Sequence, residues 1–239
     1  MTQKIHYSIS ADIFRLYPGY LRGVVVAHGV RNSAAPAELT DLLRAEEQAL
    51  RLRLQLAALA AEARIQAWRE AYRKFGAKPG EFRSSVEAMA RRVLRGESLP
   101  AINTLVDIGN LLSLRHLIPV GGHAIDVLSG DIALRLAHGA ETFVPFGTDQ
   151  AEQPLLGEVI FAEGDRVLTR RWTWRQAEHT LTLPGTRAIA FNVDGLPPVT
   201  RLQVEAACSE VIALVGRFCG GDLRSEVLSV ENASICISP

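Results

Sequence analysis

An α+β fold is predicted by three features of this 239-residue sequence. Alternating or β-branched segments stand near both ends, strong helix formers crowd the first half of the interior, and the later half holds short apolar runs separated by Gly and Pro. No repeat, low-complexity tract or long linker divides them, so 1–239 reads as one compact domain with mixed β-sheet and a long helical segment in its N-terminal half. At 48% hydrophobic residues the chain can bury a substantial core.

Residues 5–10 alternate polar and apolar side chains, the period of a strand. Residues 20–30 are β-branched, close on Gly29 and read as a buried strand. Pro36 opens a helical region reaching about Phe75, dense in Ala, Leu, Glu, Arg and Gln. Leu42, Ala45, Ala49, Leu52, Leu56, Leu59 and Ala63 recur every three or four residues and give it one apolar stripe. Gly76 to Gly80 break it. A helix resumes over 82–94, with Ser84 or Ser85 as N-cap and Gly96 as its stop. Another spans 100–117, with Pro100 in its first turn and Pro119 beyond its end. From Val120 the pattern is predominantly β, with strands over 132–136, 141–146, 158–163, 166–172 and 188–193 and a hairpin turn at Gly164-Asp165. A last helix over 199–218 ends at Gly220-Gly221, and 225–237 alternates as a final strand expected to share a sheet with the first.

Lys+Arg and Asp+Glu each total 26, so the formal charge is zero. Coating nucleic acid by bulk electrostatics is thereby excluded, although a local basic face is not. Cys208, Cys219 and Cys236 have no metal-ligand spacing, and an odd count does not complete a disulfide framework, which points to a reducing compartment. The N-terminal residues lack the apolar core of a signal peptide, and no apolar run approaches the ~18–20 residues of a membrane span. A cytoplasmic protein without membrane contact is expected. Dinucleotide, phosphate-loop, zinc-protease, Cys-x-x-Cys and Gly-x-Ser-x-Gly motifs are absent, so no cofactor, nucleotide or metal is expected.

Chemistry-bearing residues concentrate between Phe75 and Asp126. Gly121-Gly122-His123 reads as a loop whose glycines let the backbone approach a ligand and free its amides, with His123 as a proton-transfer or water-orienting group. A tight turn with a histidine bonded to a carbonyl fits the same residues. Asn103, Asp107 and Asn110, at spacings of four and three, share one helix face and either brace that loop or form a solvated side. Trp172 and Trp174 alternate as on one strand face, followed by Arg175, Gln176 and Glu178; they form either a stacking platform or core. Lys78, Arg83, Arg91, Arg92 and Arg95 gather on neighbouring helix surfaces, as a phosphate-contacting patch or an ordinary solvated face would.

In order and spacing these segments resemble the B3/B4 domain of the bacterial phenylalanyl-tRNA synthetase β subunit. Pro100-Ala-Ile-Asn103-Thr-Leu-Val-Asp107-Ile-Gly-Asn110 is similar to that domain's Pro-Ile-Asn-x-x-Val-Asp-x-x-Asn helix, and His123-Ala-Ile-Asp126 to its His-Ala-Phe-Asp segment. Phe75-Gly-Ala-Lys-Pro-Gly and Arg171-Trp-Thr-Trp-Arg-Gln176 resemble what free-standing members carry. The similarity covers about Glu70 to Gly221, with 1–69 as N-terminal strands and long helix and 222–239 as a C-terminal strand.

In the synthetase this domain houses the site that hydrolyses tyrosine wrongly attached to phenylalanine tRNA. The resemblance implies His123 as the site histidine and Glu178 near the position of the editing glutamate, with the family's Gly-Gly-Glu replaced by Trp174-Arg175-Gln176. From the residues themselves, Gly121, Gly122, Asn103, Trp174 and Arg175 are added as candidate substrate contacts, and Lys78, Arg83, Arg91, Arg92 and Arg95 as candidate tRNA contacts. The expected function is editing of aminoacyl-tRNA in trans, not complete phenylalanine-tRNA ligation. A catalytically silent RNA-binding or protein-interaction module, or a pocket for a free amino acid, remains the alternative.

Overall fold

The structure, a computed structural model, describes residues 4–239. The first three residues of the N-terminal stretch lie outside the described residues. The chain forms β1 (His6–Ile9), α1 (Ala11–Leu16), β2 (Leu21–His28), α2 (Ala37–Arg53), α3 (Ala63–Lys74), α4 (Ser85–Leu94), α5 (Thr104–His116), β3 (Val120–Ala124) and β4 (Ile132–Leu136). It continues through β5 (Val159–Glu163), β6 (Arg166–Arg170), β7 (Arg175–Gln176), β8 (Ala188–Gly195), α6 (Arg201–Phe218), β9 (Asp222–Leu228) and β10 (Ser234–Cys236).

The strands make two sheets, confirming the α+β class. One is mixed, in the order β10-β1-β4-β5-β6-β7, with β1 and β4 parallel. The other is antiparallel, in the order β3-β8-β2-β9. Helices α5 and α6 pack beside the second sheet, and α2 packs on α5. One hydrophobic cluster runs through both sheets and the helices, including Tyr7 and Phe161 from the first sheet and Val24 and Phe191 from the second. The terminal strands share a sheet as expected, in the register His6↔Cys236, and Gly164-Asp165 turns the β5–β6 hairpin.

Four expectations are corrected. The helical region of 36–75 is broken after Arg53, where Leu54 is extended, and resumes at Ala63 beyond a short 3-10 turn, Leu59–Ala61. Propensity is overridden by tertiary contacts: the Arg51 guanidinium donates to Val93 O at 3.0 Å, that of Arg53 to Leu114 O, Leu59 is buried, and the Glu62 carboxylate caps α3 through the Arg64 and Ile65 N–H groups. Residues 141–146 form only isolated bridges, Pro145 lacking a donor for a ladder. The strand begun at Arg166 stops at Arg170, because Arg171 and Trp172 adopt φ of 46° and 65°. The final strand is two, β9 in the second sheet and β10 in the first, separated by a turn in which Ser229 N donates to Asn232 O at 2.9 Å.

Candidate functional site

Gly121-Gly122-His123 is not a loop but an edge strand, β3, paired to β8 with Gly121 opposite Asn192 and His123 opposite Ala190. Ile125 N donates to Ala188 O, whereas Ala124 N donates to Thr180 O and Val120 N to Ser113 Oγ. Odd-numbered residues of this strand therefore bond to β8, and even-numbered ones point to the open edge, as antiparallel alternation requires. At that edge Gly122 O accepts from Gln176 Nε2 at 3.2 Å, while the Gly122 N–H has no partner among the described residues. A side chain at Gly122 would put its Cβ 2.6 Å from Ile189 Cδ1, so the end of the Ile189 side chain would have to shift; at Gly121 the space is empty.

Behind β3, in the seam between the sheets, lies a cavity of about 170 Å³ lined by His123, Thr169, Trp172, Trp174, Asn192 and Asp194, among others. His123 is 5% exposed. Its Nδ1 lies 2.7 Å from Thr180 Oγ1 and its Nε2 3.1 Å from Thr169 Oγ1, and its ring stands edge-on to Phe161 at 5.1 Å. Burial, reinforced by the Arg22 charge, lowers its pKa to about 3. His123 is thus neutral at physiological pH, with both ring nitrogens engaged.

The cavity floor is a buried polar chain. Arg22 on β2 is 1% exposed and faces Asp194 on β8, which is 3% exposed. Arg22 Nε donates to Asp194 Oδ1 at 2.6 Å, and Arg22 Nη1 to the Tyr7 hydroxyl of the other sheet at 2.7 Å. The Tyr7 hydroxyl donates in turn to Asn192 Oδ1 at 2.6 Å. Trp172 Nε1 donates to the Tyr20 hydroxyl at 3.3 Å, which donates to Asp194 Oδ1. Burial removes water from both phenols and pushes their pKa values up; on Arg22 burial acts downward, but the Asp194 carboxylate outweighs it and holds the guanidinium firmly charged. Hydrogen bonds offset part of the cost of burying an ion pair, and this one is braced from both sheets, through Tyr7 on Arg22 and Tyr20 on Asp194 Oδ1. Sequence reasoning missed Tyr7, Tyr20, Arg22, Asn192 and Asp194 altogether.

Trp172 and Trp174 do not share a strand face; they lie in the β6–β7 turn. The left-handed backbone at Arg171 and Trp172 turns the Trp172 ring into the core, against Tyr17, Tyr20 and Trp68 at 4.7–5.1 Å. Trp174 stays half-buried at the cavity mouth, packed on Phe82, with the Arg171 guanidinium 4.5 Å from its ring centroid.

The B3/4 domain family model matches residues 67–220, more than half the chain. The chain belongs to the B3/4 domain family. No curated protein matches it. Among solved structures it is similar to an N-terminal fragment of the phenylalanyl-tRNA synthetase β-subunit from Pyrococcus horikoshii, at 11% identity and a TM-score of 0.48. That alignment covers 91% of this chain and 50% of the fragment, so the chain spans about half the fragment's length.

Within this B3/4 domain the remaining expected residues separate into groups. Asn103 caps α5, its Oδ1 accepting from Val106 N at 3.1 Å, and its Nδ2 donates to Thr182 O at 2.8 Å, so it braces the wall rather than facing a ligand. Asp107 is buried, its Oδ1 accepting from Ile102 N, and burial raises its pKa. Asn110 lines two hollows. One, about 170 Å³, lies on the near side of β3 and shares Ser85, Gly121, Gly122 and Gln176 with the His123 cavity; the other, about 570 Å³, holds Arg83, Arg91, Arg92 and Arg95. Arg83 and Arg91, with Arg69, surround the buried Glu87 carboxylate, Arg92 pairs with Glu97, and Arg95 has no ion-pair partner among the described residues. Lys78 is absent from this hollow and pairs with Glu81 at 3.4 Å.

Arg175 is exposed at the mouth of the His123 cavity. Glu178 is exposed in a separate hollow with Arg166 and His179, and Gln176 occupies the place at the cavity. The pairing of His123 with Glu178 is therefore not made, because β7 sends its own side chains to the cavity and leads the chain away before Glu178.

Proposed function

We propose that this B3/4 domain binds the 3′ end of an aminoacyl-tRNA and hydrolyses, in trans, the ester that joins the amino acid to it. The observation that carries the reading is the chain of shared walls from the four-arginine hollow, through Met89 and Asn110, to Gly121-Gly122 and on to the His123 cavity. Arginines suit the phosphates, a space of about 170 Å³ suits an acyl group, and the unpartnered Gly122 N–H suits the ester oxygen as charge develops on it. The same reaction is implied by the resemblance of the Asn103–Asn110 and His123–Asp126 segments to the synthetase editing domain.

Water adds to the ester carbonyl, the bond from the acyl carbon to the ribose oxygen breaks, and the tRNA hydroxyl takes up the proton as the amino acid leaves. An activated ester needs a positioned water and oxyanion donors more than a strong base. His123, neutral and doubly bonded, acts as a positioning residue that holds Thr169 and Thr180, and Glu178 takes no part.

One observation favours a second reading, a module that binds RNA or protein without chemistry: His123 has no ring nitrogen left over for proton transfer. Deacylation of a panel of correctly and wrongly charged tRNAs decides between them. Hydrolysis by the wild type, reduced at least tenfold in Gly121→Ala, supports the deacylase. Retained tRNA binding with no hydrolysis leaves the silent module, and loss of both ends both.

A further inference from the structure

The hydrogen-bond chain beneath the cavity has only one possible direction. Arg22 and the Trp172 indole can only donate, so the Tyr7 and Tyr20 hydroxyls must accept from them and give their single protons onward. The Asn192 atom facing Tyr7 is therefore its oxygen, and both Asn192 Nδ2 protons are left over. Asp194 receives Arg22 and Tyr20 on Oδ1, so its Oδ2 has no protein partner among the described residues. Both side chains are more than nine-tenths buried and line the His123 cavity. The small accessible part of each opens on the cavity, where water or the polar groups of a ligand can meet these two atoms.

The complement is specific. Two donors, the Gly122 N–H and Asn192 Nδ2, ask for oxygen acceptors, and one carboxylate oxygen asks for a donor, best a charged one. We infer that the cavity selects an α-aminoacyl group with a free ammonium, the ammonium on Asp194 Oδ2 and the ester carbonyl on Gly122 N–H and Asn192 Nδ2. An N-acylated aminoacyl group brings an amide in place of the ammonium, loses the charge and adds bulk in a space of about 170 Å³. A hydroxyacyl group keeps a donor but not the charge. The site thus distinguishes an elongator-type charged end from one whose amine is already blocked.

This inference rests on the ester-hydrolysis reading, and the experiment keeps the two apart. Each aminoacyl-tRNA of the panel is compared with its N-acetylated counterpart on the unmodified protein, which avoids disturbing Asp194 in its structural ion pair. In parallel, thermal unfolding is followed with the amides of alanine, threonine, phenylalanine and tyrosine and with their N-acetyl derivatives. A protein-dependent acceleration, each ester measured against its own uncatalysed rate, at least tenfold greater for the free-amine ester than for the acetylated one supports the inference. Equal accelerations overturn it and leave the deacylase standing. If neither ester is hydrolysed, the deacylase reading falls and the thermal series decides: stabilisation by an amide and not by its N-acetyl form supports amine recognition, and no difference overturns it.

Discussion

Arg22 Nη1 donates to the Tyr7 hydroxyl across 2.7 Å, joining the second sheet to the first through a cation that water does not reach. Together with the Asp194 carboxylate 2.6 Å from Arg22 Nε, this makes the cavity floor a charged but closed unit. Removing one charge of a buried pair strands the other, which costs about 3–5 kcal/mol, whereas replacing both with apolar groups costs far less. Arg22→Met and Asp194→Leu should each lose about that much in urea unfolding, and the double variant should lose less than either single one. Additive losses would show that the two side chains are not coupled.

The histidine gives a pH signature. In the unfolded chain His123 titrates near 6.5, and in the folded protein burial lowers this to about 3. Between those values the unfolded state binds a proton that the folded state refuses, so stability is full above pH 6.5 and falls as pH drops toward 3, by up to about 1.4 kcal/mol per pH unit from this group. His123→Gln should show a flatter decline than wild type over the same window in denaturant melts at stepped pH. Parallel curves would mean that His123 titrates normally in the fold.

The two glycines answer differently to the same change. Gly122→Ala sets a methyl against the flexible end of Ile189 and should destabilise by about 1 kcal/mol, the low end of overpacking. Gly121→Ala meets nothing and should change stability by less than about 0.5 kcal/mol, yet it places a methyl at a wall common to both small cavities and should depress ester hydrolysis. Equal stability losses would contradict the edge-strand packing.

On the basic face, Arg92→Ala and Arg95→Ala should each reduce the slope of log affinity for tRNA against log salt by about one. Lys78→Ala should leave it nearly unchanged, since Lys78 pairs with Glu81 away from the arginine hollow. Glu178→Gln should leave hydrolysis unaltered, because its hollow is separate from the cavity. A large loss in Lys78→Ala would move the RNA path off the hollow.

What could be read from the sequence was periodic or punctuated. The alternation around Tyr7 and Ile235 gave the terminal strands a sheet face, and their pairing follows from it. The helix expected over 100–117 was legible from its residues, but its start was not: Asn103, expected on a helix face, caps α5 from outside, and the helix begins at Thr104 rather than Pro100. The Gly-Gly pair misled, because glycine signals a turn in sequence yet here both sit in an edge strand, Gly122 beside Ile189 and Gly121 beside open space. Arg22 was invisible for another reason. A single arginine ahead of Gly23 and three valines looks like the frayed start of a strand, and its partner Asp194 lies 172 residues away, brought opposite only by the β2–β8 register. Tyr7, Tyr20 and Arg22 also precede the matched residues 67–220, so the resemblance offered no cue to them.

The bonds from Arg22 to Tyr7 and from His123 to Thr169 both cross from one sheet to the other, one beneath the cavity and one at its side. They act as rivets across the seam, so parting the two layers there would break a bond from a buried cation. Gln176 and Trp174 also line the cavity, and displacing them breaks no buried ion pair. Substitutions at these two positions are expected to change ligand exchange rates more than the melting of the scaffold.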